Sequence, residues 1–152
     1  MADEKVQFAS DAWLAALRRG LSNLAEESGS ALEGVSVKIL EVVTEVPDAL
    51  VDPTRPDRSR AWHIVIDGGQ AWADWGEIAD ADFGSISDYA AILTLARWVY
   101  TDDAADQAAV EAHREDLVGR GLFRALGERP DLPPAIGGRL RELHNGLARI
   151  TA

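Results

Sequence analysis

The side chains with the widest chemical reach in this chain are three histidines, His63, His113 and His144, and the carboxylates that share their stretches. No two of the histidines stand three or four residues apart, the spacing that sets a pair of imidazoles on one helix face for a metal. His63 lies mid-strand in Trp62-His63-Ile64-Val65-Ile66, and Asp74 lies on the returning arm of the same hairpin. An imidazole facing a carboxylate across two strands could act as a general base. The plainer reading of His63 is a solvated or hydrogen-bonded strand residue, and that of His144 a helix-surface or interface residue. Glu41 and Glu45 interrupt a β-branched run. If both faced a pocket they could form an acid–base pair, because unlike surroundings push two carboxyl pKa values apart. Asp74, Glu77, Asp80 and Asp82 are dense enough to offer oxygen ligands to Ca²⁺, but the EF-hand spacing is absent and a solvated turn explains them.

Other chemistries lack their residues. The chain has no cysteine, which excludes disulfides, thiolate nucleophiles and Cys-ligated metals. Gly68-Gly69 and Gly137-Gly138 fit neither of the phosphate-cradling glycine motifs, and no serine sits in a nucleophile elbow. We therefore expect no catalytic residue, no metal site and no cofactor. Should the protein be an enzyme, His63, Asp74 or Glu41 would carry the acid–base step on an apolar substrate, as in an isomerase, cyclase or dehydratase.

The formal charge of −11 over 152 residues repels phosphate backbones and anionic lipid surfaces alike. Nucleic acid is thus not an expected partner. The N-terminus is charged and leads into no apolar signal core, and no apolar run approaches the roughly 20 residues that span a bilayer. Cytoplasmic residence without integral membrane association is the expectation, as monomer or homodimer.

The aromatic residues are more informative. Five tryptophans, Trp13, Trp62, Trp72, Trp75 and Trp98, are many for this length. Indole rings bury large areas, so they either fill a core or wall an apolar pocket. Trp62, Trp72 and Trp75 fall on one hairpin, and Trp98 on a helix expected to pack near it.

The elements that must position these side chains follow from periodicity. Residues 1–7 read as a loose polar lead. Ser10 caps a helix whose stripe is Trp13, Leu17, Leu21 and Leu24. Val35 to Val46 alternates as a strand, with Glu41 and Glu45 on the face of Val37, Ile39 and Val43 unless a bulge near Leu40-Glu41 swaps the faces. A Pro-rich loop over 48–60 follows, then a hairpin turned by Asp67-Gly68-Gly69. Asp82 to Ser87 reads as a short strand, and Ser87 as the cap of a helix running to Tyr100. A weaker helix over 106–117, a short strand over 122–126 and a last helix from Pro133-Pro134 complete the order. Hairpins mixed with helices make this an α+β chain, with one sheet covered by helices.

Four of these segments together resemble the sterol-carrier-protein type 2 family. They are Phe8-Ala9-Ser10-Asp11-Ala12-Trp13, Trp62 to Gly69, Ala81 to Tyr89, and Gly121 to Glu128, and they stand in that family's order. Residues 101–118 look like an insertion relative to it, within a single domain over 1–152. The resemblance implies an α+β fold with a mixed sheet of about five strands, covered by helices around an apolar tunnel. It also implies binding or transfer of fatty acyl chains, sterols or similar metabolites, with no catalytic residue to carry over. The expected ligand-binding set is Trp62, Ile64, Trp72 and Trp75 on the sheet, Ile92 and Trp98 on one helix, and Leu143 and Leu147 on the last. The last helix would act as a lid. A protein-interaction module with an exposed Trp patch is a further alternative.

Overall fold

Helix α1 (Asp11–Ser28) starts where its cap does: the Ser10 hydroxyl accepts from the Trp13 amide at 3.2 Å, and Asp11 sits in the first turn. The structure, a computed structural model, describes residues 4–152. The first three residues of the expected lead thus lie outside the described residues. Of the rest of that lead, Val6 pairs in parallel with Thr151, so the two ends of the described chain meet.

Five strands follow: β1 (Val37–Thr44), β2 (Arg60–Asp67), β3 (Gln70–Trp75), β4 (Phe83–Asp88) and β5 (Phe123–Gly127). They lie in the order β3-β2-β1-β4-β5. β1 runs parallel to β4, and the other neighbours are antiparallel, so the sheet is mixed. Gly68 and Gly69, both at positive φ, turn the β2–β3 hairpin. Between β1 and β2, the 48–59 loop is anchored by buried Leu50 and by the Arg58–Asp48 and Arg55–Glu77 pairs at 2.7 and 2.9 Å.

The remaining helices are α2 (Tyr89–Ala96), α3 (Ala104–Gly119) and α4 (Pro134–Ile150). Ser87, expected to cap α2, is still in the sheet, paired to Val43 and Phe123. Its extended backbone hands the role to Asp88, whose carboxylate accepts from the Ala91 amide at 2.9 Å. The helix stops at Ala96, so Trp98 and Tyr100 lie beyond it.

Register assigns the faces. β1 pairs with β2 without interruption from Val37 to Val43, so the bulge considered near Glu41 is absent. Strand side chains alternate. Val37, Ile39, Glu41 and Val43 therefore share one face with Trp62, Ile64, Ile66, Ala71, Ala73, Trp75, Phe83 and Ser85. Helix α1 packs on that face at β3 and also against α4. The main core lies there, joining Leu14, Leu17, Leu21 and Leu24 of α1 to Val37, Trp62, Ile66 and Ile136. A second, smaller cluster joins Leu95 to Val110 and Leu117 of α3.

Candidate ligand-binding site

The indoles do not gather around one space. Trp62 is 4% exposed and sits in a packed aromatic group: its ring lies edge-on to Phe8 at 5.8 Å, Trp13 at 5.1 Å and Trp75 at 6.4 Å. Such edge-to-face pairs are the favoured geometry for quadrupolar rings, and here they fill space. Phe8 packs on Trp13 at 5.0 Å, and the Tyr89 hydroxyl donates to the Phe8 carbonyl at 2.9 Å, which ties α2 to the same group. Trp75 is half-buried at the edge, with the Arg60 guanidinium 3.7 Å above its ring. Trp72 is 44% exposed and, opposite Val65, lies on the face away from α1. Trp98 belongs to the smaller cluster and donates its indole N–H to Asp106 at 3.0 Å.

His63, Asp74 and Glu41 do not converge either. His63 and Asp74 are register partners on the face away from α1. The His63 Nδ1 faces the Gly76 carbonyl at 2.9 Å, while Asp74 accepts from Arg18 at 2.9 Å. Glu41 is opposite Trp62 and so lies on the other side of the sheet. Glu45 follows the strand at φ 52° and is exposed, so it makes no pair with Glu41.

Glu41 itself is the unusual group. It occupies the central strand on the helix-covered face, between Ile39 and Val43. Its carboxylate accepts a hydrogen bond from the Ser85 hydroxyl on β4, and Ser85 is only 7% exposed. Burial pushes the Glu41 carboxyl up to about 7, against a smaller downward effect of the Ser85 bond, with no charged neighbour contributing. Yet Glu41 retains accessible surface and is only half-buried.

Ile64 and Phe83 on the sheet, Ile92 and Leu93 on α2, and Leu140, Leu143 and Leu147 on α4 pack against the core but are only partly buried. Of the sequence-derived ligand set, Trp62, Ile64, Trp75, Ile92, Leu143 and Leu147 belong to the main core cluster, whereas Trp72 is exposed on the other face and Trp98 belongs to the smaller cluster. Ser85 was missed at the sequence level. Its signal was the alternation in Phe83-Gly84-Ser85-Ile86-Ser87, which puts two hydroxyls on one face of a strand.

A groove of about 380 Å³ opens on the outer side between α1 and α4, lined by Gly20, Leu24, Leu143 and Leu147 with Arg19 at its rim. The Arg139–Glu27 pair at 2.9 Å crosses between the same helices. A second hollow of about 600 Å³, lined by Ile86, Val118, Leu122 and Arg124, lies beside β4 and β5. Among the described residues no cluster of side chains suits a metal ion, and no helix is long and apolar enough to cross a membrane.

The chain resembles solved proteins of the sterol-carrier type 2 kind. One is the conserved hypothetical protein TT1886 of Thermus thermophilus, described as a possible sterol carrier protein, at 19% identity and a TM-score of 0.46, covering 99% of this chain and 95% of that one. Another is UbiJ-SCP2, a ubiquinone synthesis protein, at 14% identity and a TM-score of 0.42, covering 94% and 96%. A third is palmitated SCP2L2 of Aedes aegypti, at 10% identity and a TM-score of 0.40, covering 86% and 93%. No family model matches the chain, and no curated protein matches it.

Proposed function

We propose that this protein binds or carries an apolar small molecule in the layer between the middle of the sheet and helices α2 and α4. The observation that carries this reading is the group of apolar side chains that pack on the core yet keep accessible surface, Leu143 and Leu147 of the α1–α4 groove among them. A fully packed interior leaves few voids larger than a water molecule. Partly exposed Ile64, Ile92 and Leu143 support space that a ligand can occupy. The motif resemblance to sterol carrier proteins implies the same class of ligand.

The energetics suit a carrier. Each Å² of apolar surface removed from water contributes about 25 cal/mol, so a chain burying about 500 Å² gains roughly 12 kcal/mol, which leaves about 8 kcal/mol after an association cost of about 4 kcal/mol. Micromolar binding needs no charged anchor at that magnitude. The α1–α4 groove is the proposed way in, because Leu143 and Leu147 line it and also pack on the core.

Titration of the full chain with a fluorescent apolar probe tests the reading, alongside mass spectrometry of organic extracts of the native protein. Expected outcomes are saturable micromolar binding and a co-purifying apolar molecule. Ile92→Trp, which fills the space, should weaken probe binding at least tenfold with little change in unfolding midpoint. A probe that fails to bind, or that binds Ile92→Trp equally well, contradicts the proposal.

A further inference from the structure

We propose that the free edge of β5 is a docking strand for an extended segment of another protein, one that sets a carboxylate against Arg124 and an apolar side chain in the hollow beside β4 and β5. This stands apart from the carrier reading, since it uses neither the α1–α4 groove nor the layer under α2 and α4.

The backbone is the first ground. β5 ends the sheet, with β4 as its neighbour. The two strands pair antiparallel, Ser87 with Phe123 and Ser85 with Ala125. Just beyond them the Asp88 amide donates to the Leu122 carbonyl at 2.9 Å. Bonding positions alternate along an antiparallel ladder. Leu122 and Arg124 therefore turn their backbone groups towards β4, and Phe123 and Ala125 turn theirs outward. Among the described residues no other backbone group bonds these outward groups. The opposite edge is closed. On β3 the Ala73 carbonyl accepts from Arg18 at 2.9 Å and the Trp75 amide donates to the Asp74 carboxylate at 2.8 Å, with α1 packed alongside. An open edge is a template for pairing, and proteins ordinarily block it. Here β3 is blocked and β5 is not.

The hollow is the second ground. It measures about 600 Å³ and adjoins this edge. Thr44, Ile86 and Arg124 reach it from the sheet face away from α1, and Val118 and Leu122 wall it at the end of α3. Val118 is 53% exposed, an apolar side chain left in water beside an open edge. Side chains alternate along a strand. A pairing strand that faces Arg124 with one residue thus brings the residue two places away to this hollow.

Charge decides what pairs there. Arg124 is exposed, and among the described residues it makes no ion pair, although the chain holds 26 acidic residues. A second copy of this chain fits poorly. A two-fold antiparallel pair that uses the N–H and C=O of both Phe123 and Ala125 must set Phe123 against Ala125 of the copy, and that register puts Arg124 directly opposite Arg124. Two chains of charge −11 repel as well. An incoming acid meets the reverse situation. Its pairing with Arg124 is worth little in water but selects against a base at the same position. The segment that fits is extended and reads apolar, any residue, acid, any residue, apolar, with main-chain bonds supplying affinity and the alternate side chains specificity.

The probe is the peptide acetyl-Thr-Leu-Thr-Glu-Thr-Leu-Thr-amide, whose leucines and glutamate share one face when extended. NMR titration of the isotope-labelled full chain should give saturable shifts centred on the Phe123 and Ala125 amides, with slower hydrogen exchange at both. Replacing the peptide glutamate by lysine should weaken binding about tenfold. Methylating the amide nitrogens of the two threonines beside the glutamate, which point at β5, should abolish binding. Methylating the glutamate nitrogen, which points away, should leave it nearly unchanged. Arg124→Glu should reverse the order of the glutamate and lysine peptides. Arg124 is exposed and circular dichroism checks that variant, while the methylated pair tests the edge in wild-type protein. No saturation by any peptide, shifts centred elsewhere, or equal affinity within either peptide pair overturns the proposal. So does a dimer in sedimentation whose Phe123 and Ala125 amides are already protected without peptide, which assigns the edge to a second copy.

Discussion

Glu41 carries the clearest single-residue consequence, and its sign can be worked out. In the unfolded chain this carboxyl ionises near 4.5, whereas in the folded protein burial holds it near 7. Between those values the folded state binds more protons, so rising pH favours unfolding. Glu41's contribution is fully present below about pH 4.5 and is lost as pH rises through 7, at most about 3 kcal/mol from a shift of this size. Glu41→Gln stays neutral and should remove that slope. Denaturant midpoints measured from pH 5 to 8 should fall in wild type and fall much less in Glu41→Gln, with the variant the more stable at pH 8. Parallel pH profiles would show that the carboxyl is hydrated. His144 works in the opposite direction, since burial lowers its pKa and keeps the ring neutral, stacked on Tyr100 at 4.1 Å and facing the Trp98 carbonyl at 2.8 Å.

Among the elements, the β1–β4 contact decides whether both halves of the sheet meet, because it is the parallel join between two antiparallel pairs. Gly84 makes the contact close. A Cβ added there would lie 1.7 Å from the Leu40 carbonyl oxygen, which is backbone and cannot turn aside. Gly84→Ala should therefore cost more than about 2 kcal/mol, within the range for overpacked sites. Gly137 is the control: in α4 a Cβ meets nothing within 4 Å, so Gly137→Ala should gain about 0.5–1 kcal/mol from helix propensity. Chemical unfolding of the two variants checks both signs. Helix α4 also bears on the lid expectation. Its C-terminal half is held by Asn145, which bonds the Tyr100 amide at 2.8 Å and carbonyl at 3.0 Å, and by the parallel pairing of Thr151 with Val6. Its first turn is held as well, by fully buried Ile136 in the main core.

For the molecule as a whole, two clusters of unequal size divide the stability. The larger spans α1, the sheet centre and Ile136 of α4; the smaller holds Leu95, Val110 and Leu117. Local opening free energies follow buried apolar contact, so α3 should open well before the sheet. Native-state hydrogen exchange should show the α3 amides at least tenfold less protected than those of β1 and β2. Equal protection would mean that the smaller cluster unfolds only with the rest. Since α2 contributes Ile92 to both clusters, loosening α3 would reach the proposed site through that helix.

Local chemistry alone specified most of the frame. Ser10 and the Trp13–Leu24 stripe fixed α1, Asp67-Gly68-Gly69 fixed the hairpin, and alternation placed Glu41 on the face of Val37, Ile39 and Val43, because caps, turns and periodicity are properties of adjacent residues. The motif likeness supplied the expectation of five mixed strands, which the strand order matches. The candidate site was less legible. That Trp62 packs edge-on in the core while Trp72 faces outward depends on which sheet face α1 covers, and neighbouring residues do not encode that choice. Likewise, β1 and β4 lie 44 residues apart where Ser85 meets Glu41. Only the parallel pairing of those strands, which places the Ser85 hydroxyl beside it on the covered face, gave the strand glutamate its partner.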